Sequence, residues 1–227
     1  MTEQWQYRPV ELPHRDRLPV PRRVLVLAAA MAVLTAASIA VIDQPVARLI
    51  AQYEASPLWD RGIDVLEWAI GLPIFKLLSA VVLVLAMLVT ASVPRLRVHA
   101  PVFMLLAGTH LVSRLAMIYG KELTGRLRPH QWLELGGDTF FREGGLSFPS
   151  GHVVLFASLV IPIAVLWRRA RPLVAIAAFV MMARVAVNAH FISDVLSAIA
   201  LVLFVTWGIG WLVRPFPQRT PSRARAS

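Results

Sequence analysis

Long apolar blocks alternate along this chain with short polar connectors. The first, VLVLAAAMAVLTAASIAVI at residues 24–42, contains no ionisable side chain. A helix needs about 20 such residues to cross the hydrocarbon core of a bilayer. Similar blocks recur at 72–93, 100–119, 153–167, 173–187 and 192–213. The pattern predicts an all-α polytopic membrane protein, with six transmembrane helices in a bundle and a single domain over residues 1–227. The fourth block is short unless its helix starts near Ser150, and Pro162 inside it predicts a kink. The fifth is also short and is extended toward Asn188. A cleaved secretory signal is the competing reading of the first block, because basic residues precede it and small ones lie near Ala40. Signal cores run only about 7–15 residues, so an uncleaved span is preferred.

The connectors set the orientation. With the N-terminus inside, fourteen Lys and Arg fall in inner segments and six (Arg48, Arg61, Lys121, Arg126, Arg128 and Arg142) in outer ones. That asymmetry is the positive-inside pattern. Two outer segments are long. In the first, 43–71, Ile63, Leu66 and Ile70 recur at helical spacing, and Trp59 and Trp68 suit a membrane interface. This predicts an amphipathic helix on the outer surface. The second, 120–151, carries most of the candidate chemistry described below. The Pro- and Arg-rich ends, 1–21 and 214–227, are expected to be mobile cytoplasmic tails.

Composition agrees with the pattern. The apolar fraction of 57% exceeds the 45–50% usual for soluble domains. The net charge of +10 could indicate nucleic acid, but the positions of the charges assign it to the membrane, so no nucleic-acid partner is expected. There is no cysteine, which excludes disulfides and thiolate metal sites.

Three polar clusters fall at the outer ends of the blocks. In KELTGRLRP, Lys121 and Arg128 are two helical turns apart, although Pro129 disfavours helix at Arg128. Taken alone, that segment reads as a solvated basic loop. In PSGH, Ser150 and Gly151 precede an apolar helix whose first N–H groups and dipole favour an anion, with His152 in the first turn. Ser150 is equally a plausible N-cap. In ARVAVNAHFISDV, His190 and Asp194 form an i, i+4 pair, so a carboxylate can fix one imidazole nitrogen and leave the other as a nucleophile. A structural His–Asp pair is the bland alternative. Arg184 closes an apolar block, where an ionisable group is costly. Together the clusters place three cations, two histidines and a carboxylate in one layer, a set that suits a phosphate group.

In order, these segments resemble the three motifs of the type 2 phosphatidic acid phosphatase superfamily: K, six residues, RP; PSGH; and SR, five residues, H, three residues, D. The spans resemble its integral membrane branch. One position departs: Ala183 stands where the family often has Ser, which removes one hydroxyl contact to phosphate. The resemblance implies that His190 attacks phosphorus, Asp194 orients it, and His152 protonates the leaving oxygen and then activates water. It implies phosphate binding by Lys121, Arg128, Ser150, Gly151 and Arg184, with neither metal nor cofactor. The implied activity is removal of a terminal phosphate from a membrane lipid in the outer leaflet, the periplasmic side of a bacterial inner membrane. Polyprenyl diphosphate, phosphatidylglycerol phosphate, phosphatidic acid and lipid A phosphate remain open as substrates.

A zinc site is disfavoured by the three cations, and a transporter by the clustering of polar groups at one face. Transfer of the phosphate to a lipid acceptor is the nearer alternative. Arg126 and Arg142 are candidates for a second phosphate. His110 and Arg114 either extend the polar face or make interhelical bonds, and Trp132, Phe140, Phe141 and Phe148 either line a lipid entrance or anchor the interface.

Overall fold

The computed structural model describes residues 20–213. The expected tails lie almost wholly outside the described residues. Helices are α1 (Arg22–Ala37), α2 (Asp43–Ile50), α3 (Leu58–Ala69), α4 (Leu78–Ser92), α5 (Ala100–Thr124), α6 (Pro129–Glu134), α7 (Gly151–Leu166), α8 (Val174–Ala186) and α9 (Ile192–Leu212). Among the described residues there is no β-strand, and a lone antiparallel bridge joins Arg126 to Phe141.

Among the described residues, three helical stretches are long and apolar enough to cross a membrane: Arg22–Ile50, Pro94–Thr124 and Ile192–Leu212. Leu78–Ser92 and Gly151–Leu166 are apolar but shorter. At 1.5 Å per residue the 13 residues of α8 reach about 20 Å, less than the ~30 Å core. The Arg168–Leu173 3₁₀ turn precedes α8 directly.

The first helix departs from expectation. It continues past Asp43, where a loop was predicted, to Ile50 through a π-turn at Ser38–Ile42. The Asp43 N–H reaches back to the Ser38 carbonyl. That widened turn sits just before Pro45, which has no N–H and whose ring would crowd the preceding turn of a regular helix. α7 runs through Pro162 to Leu166.

α7 is apolar all round, as a helix enclosed by others must be. Val153, Val154, Ala157 and Val160 are buried against α5, α8 and α9. α1 lies along α9, and α4 packs on α5 while leaving Val82, Leu85, Leu88 and Val89 exposed to what would be lipid. His110 is fully buried and bonds Ser158 of α7 (2.8 Å) and Ser79 of α4 (3.1 Å), which is the interhelical role. The expected amphipathic helix is α3. It buries Ile63 and sets Trp59 against Phe179 of α8, with ring centroids 5.7 Å apart, while Trp68 stays exposed.

Candidate active site

The site is built where α5, α7, α8 and α9 end or begin on one side of the bundle. Gly125, at φ 56, ends α5 in the left-handed region that glycine enters without strain. The returning chain is stitched to it. The Arg142 N–H donates to the Gly125 carbonyl and the Leu127 N–H to the Phe140 carbonyl, both at 2.8 Å. The Ser147 N–H donates to the Arg126 carbonyl at 2.9 Å. Pro129 opens α6 at a position needing no N–H, and the Gln131 side chain accepts from the Arg128 N–H at 3.0 Å.

After α8 the chain turns through Asn188 at φ 52, and the N–H groups of Ala189 and His190 both donate to the Arg184 carbonyl at 3.1 Å. Asp194, in the first turn of α9, caps that helix by accepting the Phe191 N–H on Oδ2 at 2.9 Å. The same oxygen lies 3.3 Å from Nδ1 of His190 and accepts the Ser147 hydroxyl at 2.5 Å. With Nδ1–H facing the carboxylate, the lone pair is left on Nε2. Burial lowers the His190 pKa to about 4; the Asp194 hydrogen bond and charge oppose that shift, and the charges of Lys121 and Arg128 reinforce it. The imidazole is therefore neutral at pH 7.

Behind Asp194 lies a network whose central cation is Arg126. Its Nη1 donates to Asp194 Oδ1 at 2.8 Å and its Nη2 to Asp43 Oδ2 at 2.6 Å. Ser193 joins both, accepting from Arg126 and donating its backbone N–H to Asp43 Oδ1 at 3.0 Å. All three charged side chains are buried. This corrects the expectation for Arg126: both of its terminal nitrogens already hold carboxylates, so it is not a phosphate ligand. Arg142 is exposed.

The predicted phosphate-binding residues converge on this point. Lys121 Nζ donates to the Leu146 carbonyl at 2.9 Å and lies 3.5 Å from where a Cβ on Gly151 would stand. Glycine thus leaves room for the ammonium at the start of α7. The Ser150 N–H is already used, donating to the Asp194 carbonyl at 3.0 Å, but its buried hydroxyl has no partner. Arg184 keeps a loose contact with Asp60 at 3.9 Å, and its Nε is buried without a partner. The charge of Arg128 reaches Lys121, Arg184 and His190. His152 is held by Glu67 of α3, with Nε2 2.8 Å from Oε1. Among the described residues no cluster of three His, Asp or Glu is disposed to hold a metal.

Several participants were not read from the sequence. Asp43, Ser147 and Glu67 lie in no motif, and Ser193 occupies an unspecified position of the third. Asp43 carried one usable signal, a carboxylate directly after a charge-free apolar block. Trp132 and Phe140 were read as a lipid entrance or interfacial anchors. Trp132 is instead fully buried, stacked on Phe140 (5.1 Å), edge-on to Phe191 (5.9 Å) and under Arg48 (5.2 Å).

A bundle of apolar helices with basic and histidine side chains gathered at one end defines a helical membrane protein. The chain belongs to the PAP2 superfamily, whose family model matches residues 102–218. It is similar in fold to a solved structure, the first transmembrane PAP2 type phosphatidylglycerolphosphate phosphatase from Bacillus subtilis. The TM-score is 0.56 at 20% identity, covering 87% of this chain and 100% of that one. No curated protein matches the chain.

Proposed function

We propose that this protein is a metal-independent membrane phosphatase that hydrolyses the terminal phosphate of a lipid phosphate or diphosphate through a phosphohistidine. The observation that carries the proposal is the setting of His190. Asp194 and Ser147 face its Nδ1, and the uncommitted Ser150 hydroxyl and the cations Lys121, Arg128 and Arg184 lie around the site. Nε2 attacks phosphorus while His152 gives a proton to the departing oxygen. His152 then takes a proton from water, which attacks the phosphohistidine, breaks the P–N bond and frees His190. The cations offset the charge that grows on the equatorial oxygens, a role a metal fills elsewhere. The side chains that bind phosphate are those of Lys121, Arg128, Ser150 and Arg184, with the first N–H groups of α7 beside Gly151.

The reading includes six crossings, with α4, α7 and α8 as short spans and the site at the outer face, periplasmic in a bacterium. The lipid head group then lies in the outer leaflet. Phosphatidylglycerol phosphate, polyprenyl diphosphate, phosphatidic acid and lipid A phosphate all present a phosphate that such a site accepts. The test is phosphate release by purified protein from a panel of these lipids in the presence of a chelator. Turnover of at least one lipid, undiminished by chelator and lost in His190→Ala, is the expected result. Loss in chelator with recovery on adding zinc or magnesium would overturn the metal-independent site. Release only when a lipid acceptor is supplied would assign a phosphotransferase.

A further inference from the structure

α3 lies before the segment matched by the family model and contains none of the three motifs, yet one of its faces is turned to the site. Asp60 and Glu67 are seven residues apart, two helical turns, and so share that face. The helix is fixed by buried Ile63 and by Trp59 against Phe179. Asp60 is loosely engaged with Arg184 and largely exposed, whereas Glu67 is mostly covered and makes a 2.8 Å contact with Nε2 of His152.

We propose that Glu67 is the positioning residue of His152; the inference rests on the acid–base role given to His152 above. Glu67 accepts the Nε2 proton, so in the neutral imidazole the lone pair lies on Nδ1, and Nδ1 is the nitrogen that exchanges a proton with the leaving oxygen and then with water. The carboxylate also supplies a counter-charge. Three charged groups act on His152: Glu67 from α3, Lys121 from α5 and Arg184 from α8. Both cations disfavour a charged imidazole, and Glu67 alone of the three favours it. A histidine that must hold a proton before giving it up needs that carboxylate. The two histidines of the site thus each have an acidic partner: Asp194 lies one turn along in the same segment, and Glu67 comes from a separate helix.

The test is the leaving-group dependence of Glu67→Gln, a substitution that keeps size and so should keep the fold of α3. Its effect is measured in the wild-type protein and in His152→Ala. With a lipid phosphate, whose alkoxide leaves poorly, Glu67→Gln should lower kcat by roughly 10-fold or more, with KM nearly unchanged. With p-nitrophenyl phosphate, formation of the phosphoenzyme should fall far less. The pH at which kcat falls on the basic side should move down, since the protonated imidazole has lost its counter-charge. Glu67→Asp should recover part of the rate. In the His152→Ala background Glu67→Gln should cost nothing further. Equal losses with both substrates, an added loss in His152→Ala, or an unaltered rate would each overturn the proposal. A faster Glu67→Gln enzyme would also overturn it, and would make Glu67 a competitor of the substrate phosphate. If His152→Ala itself is fully active, the acid–base reading fails, and Glu67's role with it. A slow His152→Ala beside a normal Glu67→Gln sinks the role of Glu67 alone.

Discussion

At the scale of single residues, the site separates two imidazoles by their surroundings. His190 is almost wholly buried with a carboxylate and a hydroxyl on Nδ1, whereas His152 is partly open and tied at Nε2 to another helix. If the first is the nucleophile and the second the acid and base, their loss should stop different steps. His190→Ala should form no phosphoenzyme. His152→Ala should form it from an activated substrate, which needs little protonation, and then release phosphate slowly, because water activation also uses His152. Rapid quench with labelled substrate and mapping of the acid-labile label decides between them; label on His152 would reverse the roles. The burial of His190 also predicts how stability depends on pH. Its pKa is about 4 in the folded protein, against about 6.5 when unfolded. Between those values the unfolded chain holds a proton that the native site does not, so acidification through this window favours unfolding. The contribution is fully present above about pH 6.5 and falls away toward pH 4. His190→Gln removes the titration, so its thermal midpoint should decline less between pH 6.5 and 5 than that of the unaltered protein.

At the scale of elements, Arg126 joins parts of the chain that are far apart in sequence. It ties α2 to the first turn of α9 through Asp43, Ser193 and Asp194, and so fixes the helix from which Asp194 faces His190. Neither carboxylate is solvated, so removal of the cation leaves two uncompensated charges. Breaking a buried pair of this kind costs roughly 3–5 kcal/mol. Arg126→Met should therefore lower the thermal midpoint sharply and reduce activity. Replacing Asp43, Asp194 and Arg126 together by neutral residues should restore much of the stability without restoring turnover, because Asp194 remains absent. Thermal inactivation of the detergent-solubilised variants measures both effects. A second constraint is Gly145, whose missing Cβ would fall on the Gly125 and Arg126 backbone. The close approach of those two strands of loop is what brings Ser147 to Asp194.

At the scale of the whole molecule, the proposed six crossings would place Gln131 and Ala170 on opposite sides of the membrane. Cysteines introduced singly at these positions should label from opposite faces of intact membranes, Gln131 from outside; labelling of both from one side would remove the six-span topology. Much of the architecture was legible without coordinates. The charge-free run after Val24 and the apolar runs of α5, α7 and α9 announce helices by length and composition, since a backbone in hydrocarbon must satisfy its own hydrogen bonds. The spacing of His190 and Asp194 pointed to their contact, but α9 begins only at Ile192, so the turn ahead of the helix rather than helical geometry brings them together. Ser150 stands at the N-cap position of α7 as its place in the sequence suggested, although its hydroxyl makes no capping bond. What the sequence could not decide is what reaches these residues from a distance. Glu67 precedes His152 by 85 positions, and Asp43 precedes Ser193 by 150. No periodicity encodes such pairs; they exist because packing brings α3 against α8 and α1 along α9. Packing also withdrew Arg126 from the pool of phosphate ligands and Trp132 from the membrane interface. Local spacing determined which groups could do the chemistry, and tertiary contact determined which were still free to do it, since a buried charge or ring must be satisfied by whatever neighbour the fold supplies.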